Sequence, residues 1–191
     1  PFTHGQADRT AVLLCNLGTP DEPTAPAVRR YLAQFLGDHR VVEIPKLLWM
    51  PILHGIILRT RPAKSAAKYA SIWTPEGSPL AHWTAKQATL LRGWLGEAGH
   101  AVLVRHAMRY GNPSIASQLD ALKAEGATRI LILPLYPQYS ATTTASVFDA
   151  VYTWAAATRN VPELRFVNHY HDAPGYIDAL ARTIETHWKH H

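Results

Sequence analysis

The chain has 191 residues, 47% of them hydrophobic and 17% charged, with a formal charge of +5. That length and apolar content suit one domain, or one and a half, with a real core, and exclude a disordered chain. The basic residues are scattered with no dense Lys/Arg run, which speaks against nucleic acid, and the single cysteine, Cys15, can build neither a disulfide framework nor an iron–sulfur cluster.

In chain order, residues 11–16 (AVLLCN) read as a first strand, with Cys15 as a small core residue. The strand runs into Leu17-Gly18-Thr19-Pro20-Asp21, a tight turn in which Gly18 is free to take a positive φ. Residues 25–36 carry Val28, Tyr31, Leu32, Phe35 and Leu36 at helical spacing, and Gly37-Asp38 ends that helix. Residues 41–44 read as a short extended piece. Residues 45–58 (PKLLWMPILHGIIL) are strongly apolar, interrupted by Pro51 and Gly55, and followed by Arg59-Thr60-Arg61. The segment is shorter than the ~20 residues a bilayer span needs. A buried helical hairpin and an exposed apolar lip fit its composition equally. A lip could hold a flat apolar ligand or rest on a membrane surface.

Residues 63–72 form a helix bearing Lys68 and Tyr69. Residues 74–79 (TPEGSP) form a turn containing Ser78. A long amphipathic helix follows over 81–98, then a second strand over 101–108 that delivers Arg109-Tyr110 at its carboxyl end. Ser114 caps a helix to Glu125, with Gly126 beyond it. Residues 130–133 (ILIL) are an unbroken apolar run, as expected of a parallel strand covered on both faces. Pro134 and Pro137 end it, because neither can donate to a ladder. The turn beyond is crowded with hydroxyls: Tyr136, Tyr139, Ser140, Thr142, Thr143, Thr144 and Ser146. N-capping accounts for one or two of these, but not for two tyrosines held between and beside prolines. A helix over 147–157, a strand over 164–167 and a last helix from Pro174 complete the order.

The pattern β-α-α-α-β-α-β-α-β-α predicts an α/β fold: a four-stranded parallel sheet, flavodoxin-like, with helices on both faces. Ligands of such sheets sit beyond the carboxyl ends of the strands. Those ends bring 16–18, Arg109-Tyr110, 136–140 and 168–171 to one edge, which is aromatic and hydroxylated with few carboxylates. No glycine-rich dinucleotide fingerprint, G-x-S-x-G elbow or H-E-x-x-H helix is present. His169 and His171 share a strand face but lack a third ligand at standard spacing. They read as structural or surface histidines rather than a metal site. His187, His190 and His191 read as solvated. No signal peptide opens the sequence, and neither end reads as a natural terminus: Pro1 is not an initiator, and Lys189-His190-His191 stops within a helix.

Taken together, NLGTP after the first strand, YASIWTPEGSPL, AMRYGNPSI and LPLYPQYSATTTAS resemble the ferrochelatase family, whose members insert ferrous iron into a porphyrin. The resemblance covers nearly the whole chain but only the amino-terminal half of the family. It implies that residues 1–173 form the first of two flavodoxin-like lobes, with 174–191 starting the helix toward a missing second lobe and the porphyrin in the cleft between. Leu17 would lie beside the macrocycle and 45–58 would form the lip. Arg59, Arg61, Lys68, Tyr69 and Ser78 would lie near the propionates, and Arg109, Tyr110 and Tyr136 would line the inner pocket. The implied partners are the porphyrin, ferrous iron as a substrate rather than a cofactor, and the carboxyl-terminal lobe. Residues 45–58 would face either that lobe or a membrane. The implied location is the cytoplasm, peripherally at the inner membrane face if 45–58 meets lipid. The family's catalytic His, in a motif like S-A-H-S/G-L-P, and its later Glu belong to the second lobe. No residue of this chain is therefore expected to be catalytic. A chelatase for another tetrapyrrole or metal, and a non-catalytic porphyrin- or haem-binding lobe, are the alternative readings.

Overall fold

A computed structural model describes residue 5 and residues 7–190. The expectations for Pro1 and His191 fall outside the described residues. Four strands form the sheet: β1 (Thr10–Gly18), β2 (Leu103–Tyr110), β3 (Arg129–Pro134) and β4 (Glu163–Phe166). Their order is β2-β1-β3-β4 and every pairing is parallel. This is the expected flavodoxin-like arrangement, in which right-handed crossovers put the chain alternately on either face.

The alternation along β1 shows why these residues make a sheet. Ala11, Leu13 and Cys15 point to one face and join Ile130 and Ile132 beneath α5 (Ile115–Ala124) and α6 (Ser146–Ala157), which contribute Leu119, Leu122, Val147, Val151 and Trp154. Val12 and Leu14 point to the other face with Val104, under Ala88 of α4 (Pro79–Glu97). Fully burying a side chain of this size stabilises the fold by roughly 1.5–3 kcal/mol, so the two faces supply most of what holds the strands together.

A third cluster sits above the carboxyl ends of the strands. It joins Val28, Tyr31, Leu32 and Leu36 of α1 (Ala25–Gly37) to Leu53, Leu58, Ala66 and Tyr110, with Leu17, Phe35, Trp49 and Tyr69 packed against it. Residues 41–44 do not extend as a strand. The amides of Val41 and Val42 both fold back onto the Asp38 carbonyl at 3.0 Å, which closes a turn. Residues 45–58 are not a hairpin. α2 (Lys46–Ile52) passes through a π-helical turn, Leu53–Ile57, straight into α3 (Leu58–Ile72). Pro51 lies inside α2 and leaves one ladder hydrogen bond unmade without ending the helix, and the π turn follows it. One side of this long helix packs down through Trp49, Leu53 and Leu58, and the Trp49 indole donates to the Leu36 carbonyl at 2.7 Å. The other side stands open, with Leu47 88% and Leu48 63% exposed and Met50, Ile52 and Ile56 beside them. No described helix is long and apolar enough to cross a membrane. The last helix, α7 (Pro174–His190), buries none of its residues.

Candidate functional site

Two glycines bring the ends of β1 and β2 together. Gly18 has φ +109°, and a Cβ there would lie 1.8 Å from the Tyr110 carbonyl oxygen. Gly111 has φ +87°, and a Cβ would lie 2.7 Å from the Thr19 carbonyl oxygen. Only glycine fits such a backbone approach. The register therefore continues to Gly18 opposite Tyr110, further along both strands than their apolar runs alone indicate. Leu17 and Arg109 are carried to the same edge.

Beneath that edge lies a polar knot. Asp38, at the end of α1, has a side chain only 5% exposed. Its Oδ2 accepts from Arg109 Nη2 at 2.6 Å, Ser146 Oγ at 2.6 Å and the Tyr110 hydroxyl at 2.8 Å, and its Oδ1 accepts from the Arg40 amide at 2.8 Å. Four donors on one carboxylate fill its capacity. Arg109 Nε donates onward to Ser146 Oγ at 2.7 Å and to the Ser146 carbonyl at 2.8 Å. The guanidinium carbon lies 4.6 Å from the centre of the Tyr110 ring. Burial pushes Asp38 upward, but the hydrogen bonds from Ser146, the Arg40 amide and Tyr110, with the Arg109 charge, outweigh it and hold the carboxyl below its ordinary range. Burial raises the Tyr110 phenol to about 12, so it stays a neutral donor. The knot joins α1, β2 and the start of α6, and Arg40 pairs in two-pronged fashion with Asp149 on α6 at 2.7 and 3.1 Å.

Above the knot the surface is aromatic. Phe35 meets Tyr110 edge-on at 5.3 Å, and Tyr31 meets Tyr69 edge-on at 6.3 Å. Burial pushes the Tyr31, Tyr69 and Tyr136 phenols upward. The buried hydroxyl of Tyr136 has no hydrogen-bond partner among the described residues. The Tyr136 loop is tied to the loop after β4 by the Tyr170 amide, which donates to the Pro137 carbonyl at 2.9 Å. A second π-helical turn, Ala141–Ala145, leads from this loop into α6.

The residues singled out in the sequence thus take distinct places. Leu17, Tyr69 and Tyr110 share one aromatic cluster, with Arg109 over the Tyr110 ring, while Tyr136 packs against the neighbouring core beneath α5 and α6. Tyr110 is 1% exposed, with its hydroxyl committed to Asp38 and Ser146. Ser78 is buried at the start of α4, a helix linked to the same end of β1 by Asn16 Nδ2 donating to Thr84 Oγ1 at 3.0 Å. Arg59, Arg61 and Lys68 stand exposed on α3, and their side chains make no hydrogen bond or ion pair among the described residues. His169 and His171 are exposed with ring centres 5.3 Å apart. Among the described residues no three His, Cys, Asp or Glu gather to hold a metal. Asp38 and Tyr31 were not legible as site residues, and Ser146 stood out only as one hydroxyl of the loop after β3. Asp38 reads locally as a helix end, and its partners lie 71, 72 and 108 positions away.

Comparison with known proteins gives the same direction. The family model described as Ferrochelatase matches residues 9–191. Proteins named ferrochelatase from Methylibium petroleiphilum and a Polaromonas species are 77% and 72% identical, over 97% and 100% of this chain but 51% and 53% of their own length. One from a Janthinobacterium species is 60% identical over 98% of this chain and 51% of its own length. The chain spans about half the length of the curated relatives it matches.

Proposed function

The chain belongs to the ferrochelatase family, and from that premise we propose that it forms one wall of a porphyrin cleft. The whole protein then inserts ferrous iron into protoporphyrin IX to give protohaem. The observation that carries the reading is the edge at the carboxyl ends of the strands: an aromatic floor with an exposed apolar and cationic helix beside it.

A flat ring needs apolar surface, which Leu17, Tyr69 and the Tyr136 loop offer. Its carboxylate tails need donors in open water, which Arg59, Arg61 and Lys68 offer, whereas Ser78 is buried at the start of α4. An arginine fork matches a carboxylate in geometry. Residues 45–58 form the lip of the cleft, and their exposed Leu47, Leu48 and Ile56 also suit peripheral contact with a membrane.

Metal insertion requires the macrocycle to bend so that its nitrogen lone pairs tilt out, two pyrrole protons to leave, and the ferrous ion to shed water. A wall that fits the bent ring better than the flat one uses binding energy for that strain. The Asp38 knot suits this task, because interlocked hydrogen bonds resist deformation. The proton acceptor is assigned to the half of the protein beyond this chain, since no histidine of the S-A-H type is present here.

The test is metal insertion into a dicarboxylic porphyrin by this chain beside the full-length protein, using ferrous or zinc ion. The reading expects turnover only by the full-length protein, together with a shift of the porphyrin absorption band when the ring binds the chain alone. Substantial turnover by the chain alone contradicts the assignment of the proton acceptor to the other half.

A further inference from the structure

Two classes of cation flank the aromatic edge. Arg109 rises from β2 with its side chain 22% exposed, and its charge is already matched: Nη2 holds Asp38 at 2.6 Å and Nε holds Ser146. Asp38 is also filled, by Tyr110, Ser146 and the Arg40 amide. The pair makes the floor of the cleft neutral overall. Arg59, Arg61 and Lys68 on α3 have no such partner among the described residues and sit in water. A carboxylate arriving over α3 meets free donors. A carboxylate arriving over the floor loses its water and meets a cation whose charge is cancelled, which is unfavourable.

Resting on the reading of this edge as a porphyrin wall, we propose that Asp38 is a positioning residue that sets which acid-tailed ring the cleft accepts. By holding Arg109 inward with its charge matched, it confines carboxylate recognition to the α3 rim. The cleft then selects a tetrapyrrole whose two acidic tails leave from one side over one with carboxylates around the whole ring. The role runs through Arg109, and Asp38 itself need touch nothing bound.

The sign pattern of charge variants tests this. The readout is kcat/KM for a tetracarboxylic porphyrin divided by that for a dicarboxylic one, measured on the full-length protein. Asp38→Asn releases the Arg109 charge and is expected to raise the ratio about fivefold or more. Arg109→Gln leaves the Asp38 charge without its counter-ion and is expected to lower the ratio by a similar factor, because like charges disfavour each other across a closed site. The double variant restores neutrality and is expected within about twofold of the wild-type ratio. A merely structural role lowers both activities together and leaves the ratio where it was, which overturns the proposal without touching the porphyrin-wall reading. Should Asp38→Asn fail to fold, Arg109→Gln carries the test alone, and an unchanged or raised ratio overturns the proposal. Absence of turnover with either porphyrin in the full-length wild type overturns the wall reading, and this proposal with it.

Discussion

The floor and the rim of the edge use the same residue type to opposite ends. Arg109 is half enclosed, bonded to a carboxylate and a serine, and stacked on Tyr110. Arg59 and Arg61 stand in solvent on a helix that buries only its other side. Burial decides the difference. A guanidinium near the core must be matched or its desolvation goes unrepaid, whereas one in water keeps its hydration and stays available. The floor is therefore an interlocked structural unit, and the rim is an exposed cationic surface with little stake in stability.

Substitutions at the floor break this contrast most strongly. Gly18→Ala places a methyl 1.8 Å from the Tyr110 carbonyl oxygen at a φ of +109°. Neither backbone can yield cheaply, so a loss of about 3 kcal/mol or more is expected in denaturant unfolding. Asp38→Ala strands Arg109, Tyr110 and Ser146 together, and about 3–5 kcal/mol is expected by the same measurement.

The pH dependence sharpens the point. Asp38 sits below its unfolded value of about 3.9. Its contribution is fully present above that value and is lost as pH falls through the lower folded value. Wild-type stability should drop below about pH 4, and Asp38→Asn should flatten that part of the curve.

Rim substitutions should do the reverse. Replacing Arg59, Arg61 and Lys68 together with alanine should change stability by less than about 0.5 kcal/mol. It should weaken binding of a dicarboxylic porphyrin by roughly two- to fivefold for each residue that pairs, and leave its ester nearly unaffected. Smallest in stability terms, Leu47→Ser with Leu48→Ser should leave the melting temperature in place. It should reduce sedimentation with anionic vesicles if the open side of α2 meets lipid.

The sheet was legible because its signals are local. ILIL between a charged residue and a proline can hardly be anything but a covered strand, and each helix carries its own apolar stripe. Strand ends at one edge then follow from parallel topology, which is how Leu17, Arg109 and Tyr136 came to be singled out. Two local signals misled. Val41 and Val42 are apolar and β-branched, yet the Asp38 carbonyl captures both of their amides and turns the chain. Pro51 and Gly55 suggest a break, yet the first lies within α2 and the second within the π turn that joins α2 to α3. The knot itself was out of reach, since the side chains that bond Asp38 lie more than 70 positions away and leave no mark in its own neighbourhood.

Hydrogen exchange of this chain with and without a dicarboxylic porphyrin tests the central claim most directly, because it maps where a ring sits without needing turnover. The account predicts slowed exchange at residues 17–20, 45–73, 109–111 and 134–140, with α5 and α6 unchanged. Protection centred on α5, α6 or α7, or none at saturating porphyrin, would contradict it.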